Sequence, residues 1–326
     1  MTDYVPRRGL RSGHAMTIYC WGKRREFPRL PPPSSRQFET EPGTRVLAHC
    51  HWQPEPAAHP ALIALHGLEG SSNAHYMRGL ADKAFARGFN VIRLNQRNCG
   101  GTEALAEGLY HSGLTADAAH VMTEIAREGI DRVIVAGYSL GGNLALKLAG
   151  DFGATPPAAL RGVCAVSPVM ELAECVRALE RRQNAVYQWN FVRGLKARMV
   201  RKGVSHPGRF ALERLPDVRS VRQFDELFTA PHFGFHGADD YYHRASAMRV
   251  IDRIRVPALV ITAQDDPFVP VTPFRDPRVT GNPNITLIVT RHGGHCGFVS
   301  NPGGASDGYW AEEQIVAFAE RHAGNR

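Results

Sequence analysis

Between Val133 and Gly150 the hydrophobic pattern changes period within a few residues. Before Gly137 it is a run of β-branched and small apolar side chains, as a buried strand requires. After Leu140 the leucines fall at 140, 144 and 148, the four-residue spacing of one helix face. A single hydroxyl, Ser139, stands at the junction between Gly137 and Gly141. A chain that passes from strand to helix so abruptly must turn tightly, and glycines flanking the apex remove the Cβ clashes such a turn creates. The serine is then held at a helix N-terminus, where the partly positive helix end favours an anion forming beside it.

The same alternation runs through the rest of the chain and predicts an α/β fold with a mostly parallel sheet and helices on both faces. Ala61–Leu65, Asn90–Leu94, Arg132–Ala136, Gly162–Val166, Ala258–Thr262 and Ile285–Val289 read as strands. Tyr76–Arg87, a segment around Ala116–Glu128, and a last one near Tyr309–His322 read as helices. Regularity stops between 169 and 237, a segment containing Trp and many Arg with no strand signal, which reads as an inserted, mostly helical cap. Residues 1–43 read as an extension packed on the surface, since Pro31-Pro32-Pro33 cannot lie inside a helix. The core then comprises 44–168 and 238–326.

At 326 residues, with 43% hydrophobic and 21% charged side chains, the chain is expected to be a soluble globular protein with one sizeable core. It contains no apolar run of the ~18 residues a membrane span needs. Six scattered cysteines do not make a disulfide framework and are read as reduced, which places the chain in the cytoplasm. The net charge of +8 is local. Arg177–Arg209 holds nine Lys/Arg and one acid, Met1–Arg36 holds eight Lys/Arg and two acids, and the remainder is acidic overall. The first of these, with Arg198, Arg201 and Lys202 in it, predicts salt-sensitive peripheral contact with an anionic membrane surface. No nucleic-acid-binding motif accompanies either segment, so no nucleic acid is expected as a partner.

Gly-x-Ser-x-Gly between a strand and a helix is the nucleophile elbow of the α/β-hydrolase fold. A serine hydroxyl is a weak nucleophile at neutral pH, so a base and an orienting acid must exist, and in this fold they follow in the order acid, then histidine. His295, in Gly293-Gly-His-Cys-Gly-Phe298 beyond the last strand, is the candidate base, with His292 read as a surface residue. Asp266 is the candidate acid, because Asp-x-x-Val-Pro is the usual form of the loop after this strand. Its neighbour Asp265 remains open by spacing alone, and Asp239 and Asp240 come third. His66-Gly-Leu-Glu-Gly70 follows the strand Ala61–Leu65, where the fold places a second oxyanion donor, so the backbone N–H groups of Leu68 and Leu140 form the expected oxyanion hole.

Several motifs together resemble the YheT-like α/β-hydrolases, a family that includes yeast ethyl ester synthase/esterases and mammalian membrane-associated phospholipid-acting hydrolases. They are His66-Gly-Leu-Glu-Gly-Ser-Ser72, Tyr76-Met-Arg-Gly-Leu80, Tyr110-His-Ser-Gly113, Gly137-Tyr-Ser-Leu-Gly-Gly-Asn143, Phe228-Thr-Ala-Pro231, Tyr241-Tyr242, Asp265-Asp-Pro-Phe268 and Gly293-Gly-His-Cys-Gly-Phe298. Ser12-Gly-His-Ala-Met-Thr17 is similar to the family's N-terminal segment, so the resemblance spans nearly the whole chain. It implies Ser139, Asp266 and His295 as a catalytic triad and an ester-type substrate. In Asn95-Gln-Arg-Asn-Cys-Gly-Gly101 the chain departs from the family, with Asn98 where a glycine is usual.

The expected function is therefore a serine hydrolase that cleaves carboxylic esters, medium-chain or lipid-like, through an acyl-enzyme on Ser139. Acyl transfer to an alcohol at the same site is the alternative. A non-enzymatic ligand-binding protein on the same fold is the reading of another class. No cofactor is expected. His49 and His51 share one face of a strand and lack a second ligand cluster, so no metal site is expected either.

Overall fold

The computed structural model describes residues 4–304 and 306–324. Eight strands form one sheet in the order β1-β2-β4-β3-β5-β6-β7-β8. They are β1 (Ser34–Glu41), β2 (Thr44–His51), β3 (Ala61–Leu65), β4 (Asn90–Leu94), β5 (Val133–Tyr138), β6 (Leu160–Val166), β7 (Ala258–Ala263) and β8 (Ile285–Thr290). From β4 to β8 all neighbours are parallel, whereas β1–β2 and β2–β4 are antiparallel. Strands β3, β4, β5 and β7 are buried along their whole length, as a sheet covered on both faces demands.

Helix α1 (Gly13–Gly22) precedes the sheet, and α2 (His75–Ala86), α3 (Ala116–Arg127) and α4 (Leu140–Phe152) connect its strands. Between β6 and β7 come α5 (Leu172–Leu179), α6 (Ala185–Ser205), several short helical turns and α7 (Ala238–Ala245); α8 (Trp310–Ala323) ends the fold. Residues 169–237 add no strand to the sheet. One core packs α2 and α8 on a face of the sheet, through residues such as Met77, Leu80, Ile315 and Ala319. The other packs α3, α4 and the helices after β6, through Val121, Ile125, Leu144, Leu148, Val176 and Met199.

Two N-terminal elements differ from the sequence reading. Ser34–Glu41, expected within the surface extension, is the edge strand of the sheet, with Ser34 opposite Cys50 and Phe38 opposite Val46. Only Phe38 of its eight residues is buried, so a polar edge strand carries too little apolar alternation to be seen in the sequence. Helix α1 was hidden for a related reason: Met16 and Cys20 are its buried side chains apart from Gly13, in a segment rich in Arg and Pro. Asn98 accounts for the departure noted above, since it adopts a φ of 65°. Asparagine tolerates the left-handed region better than most residues, and its Nδ2 donates to the Gly108 carbonyl at 2.8 Å.

A buried charge network ties the chain's two ends to α2. Glu312 on α8 accepts from Arg25 at 2.6 Å and from Lys83 at 2.7 Å, and all three side chains are at most 5% exposed. Asp307, 42% exposed, pairs with the same two cations at 2.9 Å. Removing Glu312 would leave two buried cations without their main partner, which is far costlier than losing a rim contact. Glu312→Ala is expected to lower stability in urea denaturation by about 3–5 kcal/mol, and Asp307→Ala by less than about 1 kcal/mol.

Candidate active site

The junction between β5 and α4 is as tight as its glycines require. A Cβ on Gly137 would lie 1.9 Å from the Gly141 carbonyl oxygen, and one on Gly141 would lie 2.3 Å from that of Leu65. Ser139, between them, is held at φ 55°, ψ −115°. Such a conformation costs a non-glycine residue free energy and persists only where its surroundings over-determine it. Here the Ser139 amide donates to the Val166 carbonyl at 2.9 Å, while its own carbonyl accepts from Asn143 at 3.0 Å and Val169 at 3.3 Å. The serine is fixed at the start of α4 by main-chain bonds on both sides.

The two adjacent acids after β7 serve different histidines. Asp266 Oδ2 lies 2.9 Å from His295 Nδ1, and its Oδ1 accepts the amides of Phe268 at 3.1 Å and Val269 at 2.9 Å. Asp265 instead accepts the Gly294 amide at 2.9 Å and lies 3.4 Å from His292 Nδ1. The third-choice acids are occupied elsewhere: Asp239 pairs with Arg222, and Asp240 accepts the His236 amide. Burial by itself favours a neutral His295 imidazole, but Cys296 and the Asp266 carboxylate beside the ring outweigh it and hold its pKa above the ordinary value. The Phe268 ring packs on the imidazole at a centroid distance of 4.1 Å.

The loop after β3 is anchored on every side. A Cβ on Gly67 would approach the Ser139 Cβ to 3.2 Å, so this loop and the serine are in contact. The Gly67 amide donates to Tyr76 Oη, the Glu69 amide to Tyr110 Oη and the Gly70 amide to the Gly67 carbonyl. The Leu68 amide has no acceptor among the described residues, and Leu68 lines the cavity beside Ser139. His66 is buried and held neutral, with its pKa lowered to about 4, chiefly by burial. Its Nε2 accepts the Gln96 amide at 3.1 Å, which leaves Nδ1 to donate to the Gly67 carbonyl at 2.8 Å. The loop's underside is braced from the insertion: Arg198 on α6 pairs with Glu69 at 2.6 Å and lies over the Tyr110 ring.

Two cavities meet at Ser139. The larger, about 540 Å³, is bounded by Ser139, His295, Leu68 and Tyr76 at its floor and by residues of α1 and α6 at its mouth. The smaller, about 80 Å³, is an apolar alcove under α5 and α6, lined by Leu140, Leu172, Val176 and Phe191 among others. Asp225 closes the alcove. It is buried, accepts hydrogen bonds from Tyr242 Oη and Thr229 Oγ1 at 2.8 Å each, and has its pKa raised to about 6 by burial.

Some participants escaped the sequence reading. Thr17 on α1 accepts the His295 amide at 2.8 Å and donates to the Gly13 carbonyl at 2.7 Å, so α1 braces the histidine loop. The only signal was the family-like Ser12–Thr17 motif. The basic residues singled out for membrane contact are otherwise employed. Arg198 and Lys202 are buried, Lys202 donates to the carbonyls of Glu103 and Ala106, and Arg201 pairs with Glu103 at 2.6 Å. Arg198 and Lys202 hold the insertion on the core and offer no free charge to a surface, while Arg201, 57% exposed, is paired with a buried carboxylate. His49 and His51 are likewise engaged, with Ser72 and Arg93.

A family profile described as the alpha/beta hydrolase fold matches residues 60–302. YheT of Escherichia coli (strain K12) is 36% identical over 301 residues, covering 91% of this chain and 87% of that protein. Medium-chain fatty acid ethyl ester synthase/esterase 2 of Saccharomyces cerevisiae is 30% identical over 285 residues, covering 79% and 61%. The Pyrococcus furiosus esterase Pf2001 shares the fold with a TM-score of 0.59 at 16% identity, over 93% of this chain and 98% of that one. Sheet order, elbow and sequence identity therefore agree, and the chain belongs to the YheT-like esterases of the α/β-hydrolase fold family.

Proposed function

We propose that the chain hydrolyses carboxylic esters through an acyl-enzyme on Ser139. The observation that carries this reading is the strained Ser139 backbone at the head of α4, in one cavity with His295, whose Nδ1 lies 2.9 Å from Asp266 Oδ2. Ser139 Oγ attacks the ester carbonyl, and His295 takes its proton and then returns it to the leaving alcohol. Asp266 orients the imidazole and stabilises its charged form. The backbone N–H groups of Leu68 and Leu140 receive the developing oxyanion, each such donor contributing about 3–4 kcal/mol to the transition state. Water then resolves the acyl group. An alcohol that competes with water would make the same site an acyltransferase, and the yeast relative's name carries both activities.

The alcove and the larger cavity together favour an acyl group longer than acetyl. Pockets that enclose small organic ligands span ~300–1,000 Å³, and the larger cavity is within that range at about 540 Å³. Each methylene that leaves water contributes about 0.8 kcal/mol. For a series of p-nitrophenyl esters, kcat/KM is expected to rise from the two-carbon to the eight-carbon acyl group, by up to about fourfold per carbon. A flat or falling series would exclude the acyl-pocket reading.

A fluorophosphonate probe should add once to the wild type and not to Ser139→Ala, read by intact mass. Asp266→Asn is expected to lower kcat by about 10⁴-fold, while Asp265→Asn retains most activity. Because Asp266 helps raise the His295 pKa, the free base forms only as pH climbs past it. The wild-type kcat/KM should therefore rise through an apparent pKa above the ordinary histidine value of about 6.5, and the residual activity of Asp266→Asn should rise at lower pH.

A further inference from the structure

A helix lying on a core needs one apolar stripe, and α6 has two. Val192, Leu195 and Met199 face the core. On the opposite side Val186, Trp189, Arg193, Ala197, Val200 and Val204 follow one another at steps of three and four residues, a second stripe along the 21-residue helix. Its four large apolar members are between 54% and 79% exposed. Helix α1 adds Ile18 and Trp21, exposed to a similar degree. Of the seven large hydrophobic side chains exposed among the described residues, six lie on these two helices. Ile18, Trp21 and Val186 line the mouth of the cavity that holds Ser139. Stacking of His14 on Tyr187, 5.7 Å between centroids, places the two helices side by side there.

The segments that carry these two helices have charges of one sign. Residues 4–25 and 181–212 contain no acid. Arg11, Lys23, Arg24, Arg181, Arg182 and Arg193 are exposed and form no ion pair among the described residues, and Arg193 lies over the Trp189 ring at 4.9 Å. Exposed tryptophan and aliphatic side chains flanked by unpaired cations are the composition of a surface that settles into the headgroup region of an anionic bilayer. No helix among the described residues is long and apolar enough to cross a membrane, so such contact is peripheral.

We infer that the α1–α6 rim docks on an anionic lipid surface with the mouth of the catalytic cavity opening into it, so that an ester enters from the bilayer. This inference rests on the esterase reading for its purpose, but the docking face stands on its own observations. The full chain is mixed with vesicles of phosphatidylglycerol and phosphatidylcholine in equal parts, and with phosphatidylcholine alone, and bound protein is read by co-sedimentation. Binding is expected to the anionic vesicles, to weaken with salt, and to blue-shift tryptophan emission. Trp189→Ser combined with Val200→Ser should weaken it by an order of magnitude or more. Replacing Arg181, Arg182 and Arg193 by Gln should weaken it by about fivefold per side chain. Turnover of a soluble short-chain ester, and the melting temperature, should stay at wild-type values in both variants.

Absence of vesicle binding by the wild type, or equal binding by the variants, overturns the docking face. So does a dimer, seen by sedimentation velocity, that the same substitutions dissociate, because a second copy would then cover the rim. Vesicle binding by a wild type that hydrolyses no soluble ester keeps the docking face and removes the esterase reading. The reverse pattern removes only the docking face.

Discussion

The first turn of α4 passes so close to the ends of β3 and β5 that backbone touches backbone, and the site is arranged around that approach. A Cβ at Gly141 would lie 2.3 Å from the Leu65 carbonyl oxygen, which only glycine avoids. With α4 pressed against β3, the loop that leaves β3 has no choice but to run beside Ser139. The same closeness forces Ser139 into a positive φ, and the main-chain bonds to Val166, Asn143 and Val169 hold it there. Parallel neighbours β6, β7 and β8 then deliver their following loops to the same edge, which is why residues far apart in sequence converge.

Around that centre, the loops are immobilised by parts of the chain that perform no chemistry. Helix α1 buries Met16, a side chain whose full burial contributes about 1.5–3 kcal/mol, and through Thr17 it fixes the amide of His295. The insertion reaches under the loop after β3 with Arg198, whose pairing with Glu69 joins α6 to the site floor. His66 adds a neutral, doubly bonded imidazole on the other side. Preorganisation of this kind matters because a donor aimed at an oxyanion is useful only if it need not move when the charge appears. The positive charge of the insertion thus divides in two. Some cations are buried as mortar, and others, such as Arg181, Arg182 and Arg193, are exposed and form no ion pair among the described residues.

The strands and helices of the parallel half were legible because burial on two faces writes long apolar runs, and helices that cover a sheet write a 3.6-residue period. The observed β3 and β4 coincide with the runs read from sequence, and β5 to β8 differ from them by two residues or fewer at either end. The antiparallel edge strand β1 was not legible, since it buries one side chain in eight. Nor was α1, whose fold depends on a surface supplied by residues near 299 and 309. Which cations of the basic segment are free was not legible, for a deeper reason. Counting Lys and Arg locates a basic segment, but whether each cation meets water or a carboxylate depends on what lies beneath the helix.

The two aspartates after β7 mark the same boundary. Gly137-Tyr-Ser-Leu-Gly141 between two hydrophobic periods was enough to specify the elbow, because its steric demands are local to five residues. Chain order then called for an acid and a histidine beyond it. Spacing alone, however, could not separate Asp265 from Asp266, since neighbours in one turn are equally near any loop. Their side chains leave the backbone in different directions, and the chain beyond β8 supplies a separate histidine for each: His292 for Asp265, His295 for Asp266. That choice is made by how two distant loops lie across each other, and no local pattern encodes it.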